Sequence, residues 1–144
     1  MQFLKFFIVT IALMANSQLF GQGLESYKWK NRILLFVAHD TNDDALNTNL
    51  TAFTNGQKKL TDRDLVLFLM SPEKVYDQDR SKLNLNAKLI YKRLELSHDF
   101  EGVLLIGKDG GIKLTQAFLL TPEAVFDKID GMPMWQSEMR SRKD

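Results

Sequence analysis

Two histidines and a run of carboxylates are the side chains in this sequence best suited to chemistry. His39-Asp-Thr-Asn-Asp-Asp44 sets one imidazole beside Asp40, Asp43 and Asp44. Such oxygen ligands suit a hard cation, calcium or magnesium. Their spacing lacks the alternation and closing glutamate of an EF-hand loop. Carboxylates at a helix start are also favourable without any ligand. Helix capping is therefore the first reading of this loop, and a cation or catalytic pocket the second. His98-Asp99 supplies the other imidazole, with an acid beside it that could orient the ring. Sequence leaves open whether it meets His39. The candidate pocket is His39, Asp40, Asp43, Asp44 and His98, with no catalytic residue, metal or cofactor assigned.

Ile106-Gly-Lys-Asp-Gly-Gly-Ile-Lys113 is the other conspicuous stretch. A phosphate-cradling loop needs a longer glycine-bounded segment ending in Lys-Ser/Thr and opening directly into a helix. Here the lysine precedes Asp109-Gly110, and a short β-type run follows. Asp-Gly between apolar runs is a hairpin signal, because the turn requires positive φ. The segment reads as an antiparallel hairpin, with Lys108 and Lys113 solvated near its tip.

Composition narrows the chemistry further. The chain has no cysteine, which removes thiol nucleophiles, thiolate metal sites and thiol redox reactions. A formal charge of +1 gives no global field toward nucleic acid or anionic lipid. Two surfaces are candidates for contact. Trp29 and Lys30, with Tyr27, Lys28 and Arg32, could stack on and neutralise an anionic glycan. The simpler reading closes Trp29 over the sheet edge. Met132, Met134 and Trp135 form a soft apolar group near the C-terminus, suited to covering the core or to an adaptable interface. The basic end, Arg140 to Lys143, reads as mobile.

These groups must be positioned by a modest number of elements. Ile33–Ala38 and Leu65–Met70 are continuous apolar runs, as in strands buried on both faces. Between them Leu46, Leu50, Phe53 and Leu60 mark a helix over Ala45–Leu60, which Thr41 or Asp43 could cap. Ser71–Lys82 is loop or edge. Leu83, Ala87, Ile90 and Leu94 mark a second helix. Val103–Ile106 and Ile112–Leu114 are the third and fourth strands. Thr121-Pro-Glu123 is a helix start, with a cap, a proline at the first helical position and an acid in the first turn. Two crossovers imply parallel pairing among the first strands. The expected fold is a three-layer α/β sandwich, with a mixed sheet of about four strands that ends in the hairpin.

The first residues follow a different rule. One lysine precedes the uncharged run Phe6–Ala15, and small polar residues follow. That is the pattern of a secretory signal peptide. A spanning helix needs roughly 20 apolar residues. The expected organisation is a leader over residues 1–22 and one domain over 23–144, secreted or periplasmic, without membrane insertion once the leader is removed.

YKWKNRILLFVA (Tyr27–Ala38), IGKDGGIK and IDGMPMWQSEMR (Ile129–Arg140) together resemble a domain-of-unknown-function family of thioredoxin-like domains. Its relatives occur in exported bacterial proteins and in vertebrate extracellular proteins such as equarin and the sushi-repeat proteins. The resemblance implies a thioredoxin- or peroxiredoxin-like fold, an extracytoplasmic setting and no settled activity. Redox members of that fold carry cysteines just after the first buried strand. Here that place is His39–Asp44. Their cis-proline precedes the third strand, where this chain has Glu101-Gly102. The resulting expectation is a non-catalytic binding or scaffold module whose partner is an extracytoplasmic protein or glycan. The alternatives are a cysteine-independent enzyme or metal-binding protein using the acidic loop, and a binder of anionic glycans through the basic aromatic segment.

Overall fold

The apolar runs Ile33–Ala38, Leu65–Met70 and Val103–Ile106 form the middle of one sheet. The computed structural model describes residues 22–143, so the proposed leader, except for its last residue Gln22, lies outside the described residues. The strands are β1 (Arg32–Val37), β2 (Leu65–Met70), β3 (Val75–Asp77), β4 (Gly102–Ile106) and β5 (Ile112–Gln116). They lie in the order β3-β2-β1-β4-β5. β3 is a fifth strand, at the edge, within a segment expected to be loop or edge.

β1 and β2 are parallel, with Arg32 opposite Leu65 and Val37 opposite Met70. β4 runs antiparallel to β1, with Val37 opposite Gly102 and Ile33 opposite Ile106. The expectation that the third main strand is also parallel is corrected here. β3 reverses the chain after β2 and pairs antiparallel to it. The route from β2 to β4 is therefore not a simple strand–helix–strand crossover, and parallel pairing is not imposed.

Both faces of the sheet are covered, which explains the unbroken apolar runs. The helices are α1 (Asp44–Thr54), α2 (Gln57–Asp62), α3 (Ala87–Arg93), α4 (Pro122–Asp130) and α5 (Pro133–Lys143). Leu34 and Phe36 of β1 pack with Leu46, Leu50 and Phe53 of α1, Leu60 of α2, Val125 and Ile129 of α4 and Trp135 of α5. Ile33, Leu35 and Val37 point the other way, into a cluster with Ile90 and Tyr91 of α3. Residues that alternate along one strand thus feed two cores.

The helix expected over Ala45–Leu60 is two. Asp43 caps α1, its carboxylate accepting from the Leu46 N–H at 3.1 Å. The helix stops at Asn55, and Gly56, a weak helix former, begins α2. At α4 the sequence signals hold, with the Thr121 hydroxyl accepting from the Ala124 N–H at 3.2 Å and proline in the first turn. The basic end is helical, not free. Arg142 donates to the Asp62 carbonyl at 3.0 Å and lies over the Trp135 ring.

Ile106–Lys113 is a hairpin turn. The Gly107 N–H donates to the Gly111 carbonyl and the Gly110 N–H to the Gly107 carbonyl, each at 2.9 Å. Gly110 sits at φ 86°, where a side chain is strained. Asp109 accepts from Lys113 at 2.8 Å and from the Gly111 N–H at 2.9 Å. The Lys113 bond first, and the Gly111 bond second, hold the Asp109 carboxyl below the usual carboxylate range. A depressed acid contributes stability above its unfolded value. That contribution disappears as pH falls through the folded value. Gly110→Val should lower stability by about 1 kcal/mol or more. Equilibrium urea unfolding measures it, and a neutral result would contradict the turn.

Candidate functional site

The sheet gathers three loops at one end. β1 and β2 are parallel, so the segments after Val37 and after Met70 leave the sheet together. β4 is antiparallel to β1, so the segment before Gly102 arrives at the same place. The ends of parallel strands are where α/β folds commonly place ligands. Local bonds shape each loop. The Asp40 carboxylate accepts from the Asn42 N–H at 2.9 Å. The Ser71 N–H donates to the Lys74 carbonyl at 2.9 Å. The Ser97 hydroxyl accepts from the Asp99 N–H at 3.3 Å, and the Phe100 N–H donates to the Ser97 carbonyl at 3.0 Å.

His39 and His98 meet there, with ring centroids 5.4 Å apart. The Asp99 carboxylate lies 3.9 Å from His39 Nε2 and 3.9 Å from His98 Nδ1. Both rings border an open depression of about 490 Å³, which Asp40, Ser71, Glu73 and Lys74 also line. Of the five pocket residues read from sequence, His39, Asp40 and His98 line this depression. Asp43 and Asp44 do not. Asp43 faces the start of α1 as its cap, and Asp44 occupies the first turn.

Arg80 holds the acidic loop through its non-carboxylate oxygens. It donates to the Thr41 carbonyl at 3.0 Å and to the Asn42 side-chain oxygen at 3.3 Å, and it also bonds to Asn47. Asp99, Ser71, Glu73 and Lys74 were not singled out as pocket residues. The signal that could have found them is topological, since strands parallel in space deliver their following loops to one end.

Lys108 requires a correction. It is not solvated at the hairpin tip but 8% exposed, between Asp64 at 2.9 Å and Glu138 at 2.8 Å. Arg32 lies in the same group at 1% exposure. Its Nη1 donates to the Arg63 carbonyl at 3.1 Å and stands 3.5 Å from Glu138. Arg63 closes the cluster against Asp130, with two bonds of 2.9 Å. Trp135 is buried among these guanidinium groups, with Arg32 and Arg63 each 5.7 Å from its ring centre. The helix α5 makes this possible, because it brings Glu138 over the start of β1. A wide cleft beside the cluster is bordered by Lys113, Lys128, Met132 and Met134.

Trp29 does not close over the sheet edge. It is 68% exposed at φ 66°, and its backbone N–H donates to the Lys108 carbonyl at 2.8 Å. Lys28 and Lys30 are exposed beside it, while Arg32 turns inward. Met132 packs against the core, and Met134 is 37% exposed. On the opposite face a small apolar cavity of about 160 Å³ lies among Leu24, Tyr27, Ile33, Ile90 and Leu94. No helix among the described residues is long and apolar enough to cross a membrane.

Fold and site together define a mixed α/β domain whose open end carries imidazole and carboxylate groups. The chain belongs to the family described as a domain of unknown function, DUF4174, whose model matches residues 23–138. No curated protein matches the chain.

Proposed function

We propose that this is an extracytoplasmic, thioredoxin-like domain without thiol chemistry, acting as a non-catalytic binding module. Its ligand surface is the end of the sheet where the loops after β1 and β2 meet the loop before β4. One observation carries the reading: that end, where a thioredoxin-like fold would present its cysteines, is an open depression lined by His39, Asp40 and His98. The strand order and helices on both faces are consistent with such a sandwich. The leader-like run Phe6–Ala15 supports export. With no cysteine, insulin reduction and peroxide turnover should stay at background in assays of the pure protein.

The test is an amide-resolved NMR titration of the protein in EDTA with extracytoplasmic peptides and anionic oligosaccharides. Binding should move the resonances of residues 39–42, 71–74 and 98–99. Shifts confined to Lys28, Trp29 and Lys30 would favour the glycan surface instead. No shift with either class would overturn the reading.

A further inference from the structure

We propose that His39, His98 and Asp99 form a zinc site, with a fourth coordination position open at the surface. This rests on the reading of that end as the ligand surface and names the ligand. The donor atoms of all three residues lie within 4.8 Å of one another, and no other such group of three occurs among the described residues. In a tetrahedral zinc site, donors about 2.0–2.2 Å from the metal stand roughly 3.3–3.6 Å apart. The Asp99 oxygen is already 3.9 Å from each imidazole nitrogen. The side chains of His98 and Asp99 are 77% and 93% exposed, so small rotations close the remaining gap.

Two further features favour the site. Its ligands come from segments far apart in sequence, joined by the fixed register of Val37 opposite Gly102. The fold, not a flexible tail, therefore sets their spacing. Neither imidazole makes a hydrogen bond within the described residues, so its nitrogens are free to coordinate. Two nitrogens and one carboxylate oxygen select a borderline ion such as zinc over calcium or magnesium, which take oxygen. Asp40 and Glu73 across the depression add negative charge, and Lys74 opposes it. Without partners to orient the rings from behind, affinity is modest. The open position takes water or a side chain from a bound partner.

The experiment is calorimetric titration of the untagged protein with zinc sulfate. One saturable site is expected. His39→Ala and His98→Ala should each weaken it at least tenfold, with melting temperatures unchanged in EDTA because both rings are exposed. Lys58→Ala, on an exposed face of α2, should bind as wild type. Zinc should also shift the ring resonances of both histidines, a readout independent of heat. No saturable binding, or equal binding by the His39→Ala/His98→Ala variant, overturns the zinc site. The peptide and glycan titration in EDTA is decided separately, so either proposal can fail without the other.

Discussion

Lys108→Ala should lower the unfolding free energy by about 2–3 kcal/mol. Among the described residues, the ammonium is the only group that bonds to both Asp64 and Glu138, at 2.9 and 2.8 Å. Removing one partner of a buried ion pair leaves uncompensated charge, which costs about 3–5 kcal/mol in a fully buried case. Asp64 and Glu138 are 35% and 22% exposed, so water recovers part of that loss. Arg142, 3.6 Å from Asp64, and Arg32, 3.5 Å from Glu138, recover some more. Lys113→Ala is the control on the other arm of the same hairpin. Its pair with Asp109 is solvent-accessible, and the change should stay below about 0.5 kcal/mol. Urea unfolding of the two variants side by side reads the contrast. Equal, small effects would return Lys108 to the solvated tip that its sequence position suggests.

Phe36→Ala should cost about 3–5 kcal/mol. Phe36 is fully buried at the centre of β1, and its ring meets Phe53 of α1 edge to face at 5.9 Å. Truncation removes both its transfer free energy and that aromatic contact, and leaves a cavity between a rigid sheet and a helix. The same variant probes the site indirectly, because β1 carries His39 just beyond its end. Circular dichroism during thermal unfolding measures the loss. A change under about 1 kcal/mol would mean that β1 is not the middle strand.

The elements were legible where local signals decide them. Apolar runs such as Leu65–Met70 have few alternatives to a buried strand, and Thr121-Pro-Glu123 caps a helix by chemistry that needs no distant partner. The hairpin at Asp109-Gly110 was legible for the same reason. Pairing direction was not. β3 is three residues long and mostly polar at its end, so nothing in Val75-Tyr-Asp77 announces the reversal that makes β4 antiparallel. Lys108 and Trp29 were misplaced for different reasons. Lys108 is buried by Glu138 of α5, far from it in sequence, whereas Trp29 is turned outward at positive φ just after the 3-10 turn at Glu25–Tyr27.

The site was legible in its residues but not in its assembly. His39, Asp40 and His98 stand out by type. Their meeting depends on the β1–β4 register, which no local pattern encodes. Asp43 and Asp44 lie in the same run, and the structure uses them as helix-start acids, the first reading of that loop.

The chain has two histidines, so their ring signals are unambiguous. The most direct measurement is a nuclear Overhauser experiment on the aromatic protons. With centroids 5.4 Å apart, the rings of His39 and His98 should give a mutual cross-peak in the metal-free protein. Its absence, with each ring showing contacts only to its own loop, would contradict a ligand surface built by bringing these two loops together.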